Sequence, residues 1–164
     1  MDRAAQAKAQ WEKELPSLEL DPMVLIGRMA EVSHLLTRNH LGPIFASYGL
    51  KQGEFDVLAT LRRAGGGEGL TPTQLYQTTM VSSGGMTARV DRLEKNGLIE
   101  RKSHPSDRRA LRVLLTPKGK KLIEGMMPMY VQAQADALSG LTVNDQKTLS
   151  ALLAALAESL NADS

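Results

Sequence analysis

The chain contains no cysteine. That excludes a disulfide framework, a thiolate zinc site and a thiol redox switch, and it fits a cytoplasmic protein. Aromatics are scarce at 4%, with Trp11 the single tryptophan, so any core must rest on Leu, Val, Ile, Ala and Met. No apolar run approaches the roughly 20 residues of a membrane span. The N-terminus scatters charges through its first turns and lacks the unbroken apolar block of a secretory signal. His34, His40 and His104 stand apart, without zinc-ligand spacing. No Gly-rich phosphate loop and no serine in a nucleophile-elbow setting is present. An enzyme is therefore the least expected class, and no catalytic residue, cofactor or metal site is expected.

What is present is ordinary in amount and uneven in place. The 164 residues suffice for one buried domain, with room for added dimerisation helices. Apolar residues make up 42% and charged residues 23%, as in a soluble protein. The net charge of +2 hides a sharp division. From Ser82 to Lys121 there are eleven Lys or Arg against four Asp or Glu, or +7; the remainder has nine against fourteen, or −5. A basic segment in an otherwise acidic chain suits phosphate binding. By charge alone, a solvated basic surface fits equally well.

Punctuation residues mark the elements. Asp2 to Glu14 reads as an Ala-rich helix ended by Pro16. Asp21 is placed to cap a second helix with Pro22 in its first turn. Helical spacing would turn Leu25, Met29, Val32, Leu36 and Leu41 of that helix toward the core. A third helix, Lys51 to Ala64, carries Phe55, Leu58, Ala59 and Leu61 and stops at the glycines of 65–67. Thr71-Pro72-Thr73-Gln74 is a capping box opening a short helix that ends near Thr79. Ser82 or Ser83 would cap the next helix, which Asn96-Gly97 ends. Leu98 to Lys102 and Leu111 to Thr116 read as strands around the polar loop from Ser103 to Ala110. Pro117 opens a helix to about Ser139, with a kink expected at Pro128. Thr142 caps a last helix striped by Leu149, Leu152, Leu153, Leu156 and Leu160.

The order helix, strand, arginine-loaded turn, strand over Val81 to Gly119 is that of a winged helix-turn-helix. At about 100° per residue, Met86, Val90 and Leu93 fall in one narrow arc, opposite Gly84, Ala88, Arg92 and Lys95. The outward face is thus small at its start and basic further along, as a helix entering a major groove about 12 Å wide requires. Ser82, Ser83 and Thr87 offer hydroxyls to bases or phosphates. In the wing, Arg108 and Arg109 suit a narrow minor groove, and Asp107 can brace one guanidinium. The fold class expected is mainly α with a small β-hairpin wing, flanked by N- and C-terminal dimerisation helices. Residues 1–20 would form an extra helix and linker, and 21–164 the main domain. Within it, about 50–116 would bind DNA, and about 22–47 and 117–160 would dimerise.

DRLEKNGLIER (91–101) with DRRALRVLLTPKG (107–119) resembles the MarR family of transcriptional regulators, over about Asp21 to Leu160. The resemblance implies a homodimer with two winged lobes on palindromic double-stranded DNA. It also implies repression relieved by a small anion or phenolic compound. It makes the helix at Ser82 the recognition helix and Arg109 the minor-groove residue. Trp11, Pro16, Leu18, Pro22, Met23, Gly27 and Arg28, with SSGGMTARVDRLE (82–94), are similar to the urate-responsive PecS- and HucR-like branch. By that likeness Trp11, Asp56, Arg63 and Arg89 would bind ligand, with Arg101 a weaker fifth candidate. Asp56 and Arg63, seven apart, share a helix face but lie about 10.5 Å apart along the axis, too far for a direct pair. Arg89 sits at the edge of its helix, roughly 70° from the buried arc, and can point into a cleft. Two other readings stand beside this one. In the first the protein senses another aromatic or organic acid and Trp11 is only structural. In the second it is a winged-helix module that binds protein.

Overall fold

Local chemistry starts almost every element. In the computed structural model, which describes residues 2–65, 67–79, 85–103 and 111–162, Asp2 caps the first helix. Its carboxylate accepts the Ala5 N–H at 3.0 Å, and α1 runs Arg3–Glu14, stopping just before Pro16. The second helix, α2, spans Asp21–Leu36. Leu20, not the expected Asp21, holds its N-cap position. Asp21 lies in the first turn, where the helix dipole favours a carboxylate, and Lys8 of α1 takes its Oδ1 at 2.5 Å. The second helix was expected to carry its apolar positions as far as Leu41. The path is instead interrupted by a π-helical turn, Thr37–Leu41, before α3, Gly42–Ser47.

The central helix α4, Gln52–Ala64, buries Phe55, Val57, Leu58 and Leu61. Gly65 closes it. The capping box of α5, Pro72–Thr78, is complete: Gln74 N–H donates to Thr71 Oγ1 at 3.2 Å, and Thr71 N–H to Gln74 Oε1 at 3.0 Å. Then come α6, Met86–Lys95, and the antiparallel strands β1, Ile99–Ser103, and β2, Leu111–Leu115. Their register pairs Ile99 with Leu115 and Ser103 with Leu111. Leu70 adds one bridge to Val113 on the far side of β2. Thr116 caps α7, Pro117–Leu138, which stays helical through Pro128. The last helix, α8, is Val143–Ala162, opened by Thr142.

One core joins α3, α4, α5, α6, the hairpin and the first half of α7. Leu58, Leu75, Leu93, Ile99 and Ile123 are fully enclosed there. Each such side chain stabilises the fold by about 1.5–3 kcal/mol relative to exposure. The rings of Phe45, Phe55 and Tyr130 pin α3, α4 and α7 together, with the Phe55 and Tyr130 centroids 4.4 Å apart.

In α2 two apolar positions differ from expectation. Leu25 and Val32 of α2, expected inside, are 59% and 63% exposed. Leu149, Leu152, Leu153 and Leu160 of α8 are likewise exposed, and no described residue of α1 or α8 is buried. Periodicity correctly marks an apolar face but cannot say what covers it.

Candidate nucleic-acid interface and ligand cleft

The helix expected to read DNA, α6, starts from a glycine. Gly85, at φ +80°, occupies the N-cap position in the left-handed region that side-chained residues avoid. The helix therefore begins at Met86, later than the expected start at Ser82. Ser82, Ser83 and Gly84 fall outside the described residues. Val90 and Leu93 are buried and Met86 half-buried, while Thr87, Ala88 and Lys95 are exposed, as the helical wheel requires.

Arg92 is less simple than its outward position suggested. Its side chain is 44% exposed, yet Nε lies 3.1 Å from Oε1 of Glu54, whose side chain is almost wholly buried. The other Glu54 oxygen accepts the Lys51 N–H at 2.8 Å. One carboxylate thus caps α4 and tethers α6. Sequence reasoning missed Glu54, although an acid three residues after a helix start is a capping signal.

The wing is tied to α6 at its root. Arg101 of β1 donates through Nη1 to Glu94 and through Nη2 to Asp91, and its backbone N–H meets Glu94 Oε1 at 3.1 Å. The Asp91 hydrogen bond, with help from Glu94, holds the Arg101 pKa above its ordinary value despite some burial. Arg101 is therefore committed to joining hairpin and helix. Asp107, Arg108 and Arg109 lie outside the described residues.

The four ligand candidates separate. Arg89 crosses the first turn of α4, directly over Gly53. Asp56 lies one helical turn further along α4 and acts electrostatically on Tyr130 of α7. The Tyr130 phenol is pushed above its usual pKa, first by burial and then by the Asp56 charge. Tyr130 was absent from the sequence-based candidates, since nothing in the sequence alone places α7 against Asp56. Arg63 is at the other end of α4, where Nη2 donates to the Thr78 carbonyl at 2.7 Å and to Thr60 Oγ1 at 3.3 Å. It thereby helps satisfy the free carbonyls at the end of α5. Trp11 is 47% exposed on α1, in a shallow depression lined by Gln10, Lys13 and Glu14 of the same helix. The structure thus brings Arg89 and Asp56 to one end of α4 and leaves Arg63 and Trp11 elsewhere in the protomer.

A second opening lies between α5, α6 and β2. It has a volume of about 230 Å³ and apolar walls that include Pro72, Leu75, Met86 and Val90, with Arg101 at its edge. Among the described residues, no helix is long and apolar enough to cross a membrane, and no group of acidic or imidazole side chains is arranged to hold a metal ion.

A two-helix turn followed by a hairpin, with small and basic residues on the exposed face of its second helix, defines a winged-helix DNA-binding protein. The pattern that defines the MarR family matches residues 48–110. The HTH-type transcriptional regulator PecS of Dickeya dadantii is 38% identical over 144 residues, covering 88% of this chain and 86% of that protein. A mutant MarR from E. coli complexed with operator DNA superposes with a TM-score of 0.71 at 26% identity, over 89% of this chain and 96% of the other. A MarR-like transcription regulator from Bacillus cereus gives 0.77 at 22% identity, over 87% and 99%, a likeness of fold. The chain belongs to the MarR family. It is a DNA-binding transcriptional regulator and not an enzyme.

Proposed function

We propose that the protein acts as a homodimeric repressor on a palindromic operator and leaves it when a small planar anion such as urate binds. The observation that carries this reading is the mooring of α6 to α4 by two arginines, Arg89 over Gly53 and Arg92 on Glu54. An anion seated near Asp56 and Tyr130 draws Arg89 toward it, and α6 must follow. The ligand then favours a spacing of the two recognition helices that no longer matches about one DNA turn, ~34 Å. On the DNA side, Ser82, Ser83, Gly84, Thr87, Ala88 and Arg92 address the major groove, and Asp107, Arg108 and Arg109 the minor groove. On the ligand side, Arg89 supplies charge and planar donors, and Asp56 accepts from a ring N–H. Arg63 and Trp11 join this site only if binding or the partner protomer brings them in.

The homodimer is supported by the exposed apolar side chains of α2 and α8, among them Leu25, Val32, Leu152 and Leu153. The test of ligand response is a urate titration followed both by Trp11 fluorescence and by release of operator DNA. A response in both, lost in Asp56→Ala, supports urate; a flat titration with intact protein removes it and leaves DNA binding standing.

The opening under α6 favours a second reading. A cavity of about 230 Å³ with mostly apolar walls suits the ring of a single-ring aromatic acid, with Trp11 then structural. Release by salicylate, unaffected by Asp56→Ala and lost on filling the cavity with Val90→Phe, would favour it over urate.

A further inference from the structure

Gly53 stands in the first turn of α4. Glycine is a poor helix former, and the backbone here does not call for it, since Gly53 is not among the residues with positive φ. What calls for it is Arg89. A Cβ placed on Gly53 would lie 2.5 Å from Nε, 2.8 Å from Cζ and 3.0 Å from Cδ of Arg89. The end of that side chain therefore rests flat on bare backbone. Any side chain at 53 must displace it. Because the displaced atoms are the far end of a flexible side chain, neither α4 nor the core has to shift. Asp56, three residues on, is the helical neighbour of Gly53 on the same face. The seat thus puts a cation on the face of α4 that carries Asp56, whose charge is felt at Tyr130.

We propose that Gly53 is a positioning residue for the ligand response: it seats Arg89 across α4, next to Asp56 and away from the DNA phosphates. This rests on the reading of Arg89 as the ligand-responsive arginine. When the seat is filled, Arg89 swings to the rim of the groove and meets a phosphate, and an anion at Asp56 loses its cationic partner. The protein gives up one phosphate contact per protomer and gains responsiveness to ligand.

The experiment uses the full chain as wild type, Gly53→Ala, Arg89→Ala and the double variant, each bound to operator DNA over a range of salt. Alanine favours the helix, so thermal unfolding of Gly53→Ala should occur at or above the wild-type temperature. The slope of log K against log salt should steepen by about 0.9 per protomer in Gly53→Ala, the signature of one added phosphate contact. In the Arg89→Ala background the same substitution should leave the slope unchanged. With urate as probe, Gly53→Ala should need at least about tenfold more for half-release. An unchanged slope in Gly53→Ala, or an equal change in both backgrounds, would overturn the seat. If wild type ignores urate, the ligand reading fails while the four slopes still decide the role of Gly53.

Discussion

The winged lobe and the last helix of this protomer are both rich in leucine and end in opposite conditions. In the winged lobe, α4 to β2, apolar side chains converge, and Leu58, Leu75 and Leu93 reach zero exposure. In α1 and α8 no described side chain is buried, and Leu152 and Leu160 of α8 stand 65% and 63% exposed. The lobe satisfies its own hydrophobic pattern; the terminal helices hold a pattern that only a second surface can satisfy. A large exposed apolar face marks an interaction site. The contrast separates what one chain does alone, which is to shape a reading head, from what needs two.

The largest expected effect breaks the terminal face. Leu152→Glu with Leu160→Glu should leave the lobe folded, convert dimer to monomer by sedimentation, and weaken operator binding by at least about a hundredfold, because one half-site then binds alone. Retained dimer with full affinity would show that α8 has another task. Next is the lobe itself. Leu93→Ala should cost about 2–5 kcal/mol in denaturant unfolding, whereas Leu152→Ala, assayed at concentrations where wild type is monomeric, should cost well under 1 kcal/mol. Equal costs would erase the contrast.

A smaller effect is expected from Arg101→Ala. Its carboxylate partners are more than a third exposed, so the stability loss should be slight. The root of the wing is unpinned, however, and operator affinity should fall several-fold while urate sensitivity persists. Smallest is a pH effect. Because burial and Asp56 raise the Tyr130 pKa above its ordinary value, the folded state holds that proton more tightly than the unfolded chain. Tyr130 therefore contributes stability that is fully present below about pH 10 and is lost as pH rises through the folded pKa. In Tyr130→Phe that part of the alkaline decline should vanish, as checked by unfolding at several pH values; an identical decline would deny the coupling.

The same contrast explains how legible the sequence is. Elements with local signals could be read directly: the capping box at Thr71 and Gln74, the stop at Gly65, the buried arc of Val90 and Leu93. Those signals act within one helical turn, so a turn of sequence contains them. Leu25 and Val32 were expected in a core because periodicity reports polarity and not the partner, whereas the α8 stripe lies on a helix expected to dimerise. The π-helical turn at 37–41 gave no signal at all. At the candidate site, Arg89 at the edge of its helix was foreseeable from angle alone. Its resting place on Gly53, the Glu54 tether and Tyr130 were not, since each depends on how α4 packs against α6 or α7.

The most direct test of the central claim is to select duplexes bound by the full chain from a random library and measure their affinity across salt. The account predicts enrichment of an inverted repeat with half-sites centred about 10 base pairs apart, bound with a steep salt dependence. No enriched repeat, with binding indifferent to salt, would contradict it.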